Sequence, residues 1–318
     1  MNIRIKKIIT ACALFLGLGL AAGRVSAAEG TTPVITLGTS LTASQKQGTL
    51  DVLKGALSDS SSYNTLPVTG SDLVTYLNPS GSTFTSSSGV WSSAAIEKTS
   101  SGSGINVRIL NYKGQNNITT ITANQYRNAA VTAGITDANI YVTSAIPIDG
   151  SGALAGIYKA YAKSGEKLNQ KQITAAQDEL NTLSGITKEN KGKDGYSDAQ
   201  LNNAVAGAKK EMAQKGSSIT KNQIITIVNN QIENNNLTNV ISNEQKQQIV
   251  NILVEIRDSG ALNSSSFKQQ ASQAMSAIQK SAKGIFAKLN TSENRNALQK
   301  LWEAIVNFFT SLFSSFGK

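Results

Sequence analysis

The chain has 318 residues, with 30 Lys and Arg against 20 Asp and Glu, no histidine and one cysteine, Cys12. Without imidazole it lacks the commonest general base and transition-metal ligand, and one cysteine near the N-terminus leaves no internal disulfide. Carboxylates and Ser-Lys pairs are the acid/base groups that an enzyme of this composition would retain.

In chain order, Arg4, Lys6 and Lys7 precede an apolar run from Ile8 to Ala22, and Val25-Ser26-Ala27 puts small residues where a signal peptidase reads. Residues 1–27 read as a cleaved leader. The run is shorter than the roughly 20 residues of a bilayer span. Removing this segment takes four Lys and Arg and no acid, so the formal charge falls from +10 to +6. Residues 28–150 hold six bases against seven acids, and 151–318 hold twenty against thirteen, so the positive excess belongs to the second half. Outside the cytoplasm, its anionic partner is expected to be lipid headgroups or wall polymer rather than nucleic acid.

Residues 28–163 alternate strand and helix patterns. Val34 to Leu37, Ile105 to Ile109 and Ile140 to Val142 read as strands. Leu50, Leu53 and Leu57 follow Thr42 at helical spacing, Tyr126, Ala129, Ala130 and Ala133 follow Thr122, and Leu154, Ile157, Tyr158 and Tyr161 repeat at three and four. Residues 79–104, rich in Ser, Thr and Gly, read as a surface excursion. From 164 to 290 the apolar residues recur only at helical spacing, as in the stripe from Phe267 to Leu289, and a helical bundle is expected. The fold class is α+β or α/β, a small α/β domain followed by an all-α bundle.

Thr42, Thr122, Ser197, Thr220 and Ser242 each precede a Gln by three residues, at 45, 125, 200, 223 and 245. This spacing predicts a capping box: the hydroxyl accepts from an early backbone N–H and the amide reaches back to the cap.

Ile35-Thr36-Leu37-Gly38 running into Leu41-Thr42 and Gln45, Asn117-Ile118-Thr119 with Ile121-Thr122, Gln125 to Ala130, and Ala153 to Ala160 together resemble the YpuA-like secreted proteins of Gram-positive bacteria. The resemblance covers most of residues 30 to 163. It implies export and this order of elements, but no activity or site residues.

Candidate sites are few. Gly150, Gly152 and Ala155 have the spacing of a dinucleotide fingerprint, but Ile146 to Asp149 separates them from the strand and no ribose-binding acid follows, so no nucleotide is expected. Asp59, Asp72, Glu97, Asp137 and Asp149 are the acids available to a glycosidase-type pair. Their spacing singles out no two. Ser164 to Lys167 and Ser265 to Lys268 match S-x-x-K without partner motifs. Asp194 to Asp198 lacks the acids of a calcium loop and reads as a loop ending in a helix cap. No cofactor or metal is implied.

From 291 to 318 the sequence predicts an amphipathic aromatic helix, with Trp302, Phe308, Phe309, Phe313 and Phe316 on its apolar face and Lys280, Lys283 and Lys288 upstream. That face would meet a membrane or partner, or else pack inward to close the bundle. These features point to a secreted, non-enzymatic envelope protein that binds a membrane surface or anionic wall polymer through its basic helical half. The alternative is a carboxylate-dependent hydrolase of wall glycans.

Overall fold

The computed structural model describes residues 32–289. The leader assigned to residues 1–27 and the aromatic helix assigned to 291–318 lie outside them. Five strands form one mixed sheet: β1 (Val34–Gly38), β2 (Asn64–Val68), β3 (Ser92–Lys98), β4 (Ile105–Ile109) and β5 (Ala138–Ser144), in the order β2-β1-β3-β5-β4. β1 runs parallel to β2 and β4 parallel to β5, while β3 lies between the two pairs, antiparallel to both neighbours.

Helices α1 (Ala43–Lys54) and α3 (Ala123–Thr132) are the crossovers of the two parallel pairs, and α2 (Gly70–Leu77) and α4 (Ser151–Lys163) flank them. Alternation along the strands sorts the side chains between two faces. Ile35, Leu37, Ala95 and Tyr141 pack with Leu53 of α1 and with Leu57 in the turn after it. Val34, Ala94, Ile96, Val107, Ile140 and Val142 face the other way, into a cluster shared with α3 and α4 that continues through the helical half to Ile278. The expected α+β class holds, and one apolar core spans the sheet and the helices behind it.

The stretch 79–104 corrects the sequence reading. It contains β3, the buried middle strand of the sheet, and only the parts before and after that strand are surface loop. Its Ser and Ala reflect tight packing. A Cβ on Gly152 of α4 would lie 2.6 Å from the Val90 side chain, and one on Gly156 would press into the Thr36 hydroxyl. Three buried hydroxyls at this contact are paired: Ser92 Oγ accepts from the Ala153 N–H at 2.8 Å, Ser93 Oγ accepts from the Gly38 N–H at 3.1 Å, and Thr36 donates to the Ala94 carbonyl at 3.1 Å. Gly152, one of the residues that mimic a dinucleotide fingerprint, is therefore a contact point between helix and sheet, whereas Gly150 lies against the Tyr126 hydroxyl. Two further elements carry weak sequence signals. β2 is an edge strand that tolerates Pro67, and α2 is a short helix boxed by Thr69 and Asp72.

Six helices follow: α5 (Gln170–Asn190), α6 (Asp198–Lys215), α7 (Lys221–Asn234), α8 (Asn243–Asp258), α9 (Phe267–Ser281) and α10 (Lys283–Leu289). The predicted boxes close completely at Thr42, Thr122, Thr220 and Ser242. At Ser197 only the forward bond forms, and the Gln200 amide donates instead to the Asn235 carbonyl at 2.8 Å. Gln125 and Gln245 do both jobs. Gln125 accepts from the Thr122 N–H and donates to Thr187 of α5 at 3.3 Å, and Gln245 accepts from the Ser242 N–H and donates to Glu189 at 2.6 Å. An amide can accept and donate at once, whereas an ionised glutamate only accepts.

Candidate functional site

α3 is buried along nearly its whole length between the sheet and the helical layer, and it carries polar groups into that interior. Asn128 donates to the Asn202 carbonyl at 3.0 Å, and Lys209 of α6, fully buried, donates to Glu179 at 2.8 Å and to the Asn128 carbonyl at 2.9 Å. Burial pushes the Lys209 ammonium below its ordinary pKa, with Glu179 pulling back in part. This cluster joins α3, α5 and α6 and has no opening to solvent.

The N-terminal end of α3 opens onto a cleft of ≈ 730 Å³. One wall is the segment between β4 and α3, from Asn116 to Ala123. The Ile118–Ile148 bridge extends the parallel β4/β5 pairing in this region. The opposite wall is the end of α5, with Ser184, Thr187, Lys188 and Lys191, and the start of α6, with Tyr196, Ser197 and Asp198. Thr119, Thr120, Lys188 and Lys191 are exposed. Tyr196 donates to Thr187 Oγ1 at 2.8 Å, which fixes one corner.

Asp198 is the one acid of the lining, and it faces into the wall. Its carboxylate accepts from Thr122 at 3.0 Å, Asn124 at 3.1 Å and Asn202 at 2.9 Å. Burial raises its pKa, and these donors together with Arg127 offset part of that rise. Arg127, donating to the Ile105 carbonyl and to Asn124, is itself lowered to about 10 by burial. A second opening of ≈ 680 Å³ lies on the other side of Tyr196 and Ser197, between the 192–197 loop, the end of α7 and Gly284 and Ile285 of α10.

The acids nominated from sequence are each engaged locally. Asp59 is exposed and accepts from the Ser61 N–H. Asp72 closes the α2 box and pairs with Lys159 at 2.9 Å. Burial opposes its ionised form, but the Thr69 N–H and Lys159 outweigh that and hold the carboxyl below its usual value. Glu97 is fully buried on the α1 face of the sheet and accepts from Ser58 and Asn139. Asp137, at φ 45°, accepts from the Gly104 N–H and from Gln270. Asp149 accepts from Ser151 at the start of α4. None of the five lines either cleft. One acid outside this set holds its proton longer: Asp178 of α5 is pushed up to about 6 by burial and by Glu255 of α8.

Of the cleft residues, Ile118, Thr119, Ile121 and Thr122 belong to the run that carries the family resemblance, and Tyr196, Ser197 and Asp198 to the loop set aside as a calcium site. Lys188 and Lys191 had no distinguishing signal. They are two lysines among many, and only the meeting of α5 with the β4–α3 segment brings them to the cleft. The proposed aromatic face at Trp302, Phe308, Phe309, Phe313 and Phe316 lies outside the described residues. Among the described residues no group of His, Cys, Asp and Glu could hold a metal ion, and no helix is long and apolar enough to cross a membrane.

Comparison with known proteins gives two results. A family model described as a protein of unknown function, DUF1002, matches residues 37–274. The uncharacterized protein YpuA of Bacillus subtilis (strain 168) is 29% identical over 284 residues, which cover 87% of this chain and 89% of that protein. No solved structure matches.

Proposed function

The chain belongs to DUF1002, a family of proteins of unknown function, and on that premise we propose that it is an exported, non-catalytic cell-envelope protein whose basic helical half contacts an anionic wall polymer. The observation that carries this reading is the state of its cations. Between residues 151 and 289, only Lys159, Lys209 and Arg257 pair with a carboxylate among the described residues, while Lys163, Lys167, Lys171, Lys188 and Lys191 are exposed. Unpaired surface ammoniums spread over several helices suit a flexible polyanion, because each adds a modest, salt-screened attraction.

The engagement of Asp59, Asp72, Asp137 and Asp149 in caps and turns, and of Glu97 inside the sheet, favours binding over hydrolysis. A glycosidase needs two carboxyls facing across a cleft, one of them keeping its proton. Asp178 holds its proton up to about pH 6, but it sits on the α5–α8 seam and lines neither cleft.

Fractionating producing cells into medium, wall and membrane, with washes at low and high salt, tests the reading. The protein is expected in the wall fraction and is released at about 0.5 M salt, where the Debye length is only a few ångströms. Free protein in the medium would overturn polymer binding. Retention on membranes through the high-salt wash would assign the contact to the aromatic segment 291–318 instead.

A further inference from the structure

We infer that the cleft between the β4–α3 segment and the end of α5 is a binding site for a phosphorylated polyol. Its position is the first argument. In open sheets with parallel strands, ligands bind outside the carboxyl ends of the strands, where the loops leading into the helices diverge. The β4/β5 pair is such an end. The chain leaves β4 at Ile109 and lines the cleft from Asn116 until it enters α3.

The lining gives the chemistry. Thr119 and Thr120 present exposed hydroxyls that both donate and accept, while Ser184, which donates to Gln125, can still accept, and Thr187, which accepts from Gln125 and Tyr196, can still donate; this is the mixed pattern a polyol needs along its length. Lys188 and Lys191 stand close to one turn apart at the end of α5, exposed and unpaired with any carboxylate among the described residues. Asp198 does not cancel them at the mouth, because its oxygens are held by Thr122, Asn124 and Asn202. An apolar ligand would leave the Thr119 and Thr120 hydroxyls without a partner, and a cation would face two ammoniums. A hydroxylated molecule with one anionic group satisfies both ends, and ≈ 730 Å³ falls within the range of small-ligand clefts.

The phosphate ester could be free or a repeat of the polymer, and only the second source rests on the polyanion reading above. Titrating the full mature chain with sn-glycerol 3-phosphate, with glycerol and inorganic phosphate as controls, tests the site by calorimetry. The ester is expected to bind about tenfold more tightly than either control, and the double variant Lys188→Gln/Lys191→Gln to lose about tenfold. Both residues are exposed, so an unchanged circular dichroism spectrum shows that the loss is not unfolding. Thr120→Ala, also exposed, should weaken the ester about threefold and leave phosphate unchanged, which a purely electrostatic surface would not do.

Equal affinity for ester and inorganic phosphate, or a double variant that binds the ester normally, overturns the site. A second titration, with poly(glycerol phosphate), separates the two proposals. Polymer binding that survives the double variant, when ester binding does not, keeps the site but makes the free ester its ligand. Polymer binding with no ester binding overturns the site and leaves the polyanion reading standing.

Discussion

Lys209 on α6 and Glu179 on α5 form an ion pair at 2.8 Å with neither side chain exposed to solvent. Thr132 of α3 donates to the second carboxylate oxygen at 2.5 Å, and the Asn128 carbonyl accepts from the ammonium, so three helices meet on one charge pair. Removing a single partner strands the other charge in the core. Lys209→Met is expected to cost about 3–5 kcal/mol in urea denaturation, whereas Lys209→Met/Glu179→Leu should cost clearly less than the two single changes added together. Additive losses would mean that the pair is hydrated and contributes little.

The interhelix ties from capping glutamines can be tested by removing only the donor. Gln125→Glu and Gln245→Glu keep the cap's acceptor but lose the N–H that reaches α5, and a carboxylate at 245 would also meet Glu189. Each is expected to lose about 1–2 kcal/mol. Gln45→Glu, whose amide serves only the cap of α1, should stay within about 0.5 kcal/mol of the wild type. Equal effects at all three sites would show that the second bond carries no weight.

Glycine replacements should separate by position. Gly156→Ala forces a methyl into the Thr36 hydroxyl and is expected to destabilise by about 1–3 kcal/mol. Gly185→Ala on α5 meets nothing within 4 Å and should raise stability by about 0.5–1 kcal/mol, since alanine is the better helix former. Thermal melts of the two variants should therefore shift in opposite directions.

The Asp178–Glu255 seam predicts a pH dependence. The folded carboxyl of Asp178 titrates near 6 against 3.8 unfolded, so the native state holds the extra proton between these values. Stability from this group is complete below pH 3.8 and is lost as pH rises through 6. Asp178→Asn should flatten that slope and add about 1 kcal/mol at pH 7, a figure reduced for the solvent that screens a half-exposed group. A variant that keeps the wild-type slope would place the shifted proton elsewhere.

Helix caps and the strands β1, β4 and β5 were readable because their signals are local. Thr122 and Gln125 stand three apart, and Ile105 to Ile109 alternates in the sequence as it does in the sheet. β3 was not readable, since Ser92-Ser93-Ala94-Ala95 looks like a linker until Gly152 and Gly156 are brought against its neighbourhood from sixty residues away. The cleft was hidden for the same reason. Thr119 and Lys188 acquire a shared role only through tertiary contact, and Asp198, part of a rejected metal motif, turns out to fasten α6 to the start of α3.

The antiparallel middle strand also bears on how the sheet comes together. β1 and β2 can pair as soon as residue 68 is made, and β3 can dock on β1 by residue 98, but β3's second edge waits for β5, ending at Ser144. Until then that edge presents unpaired N–H and C=O groups beside small side chains that bury little apolar surface. Such an edge is a template for another chain. The step most exposed to aggregation is therefore the docking of β5, which follows β4 and the α3 crossover in the chain.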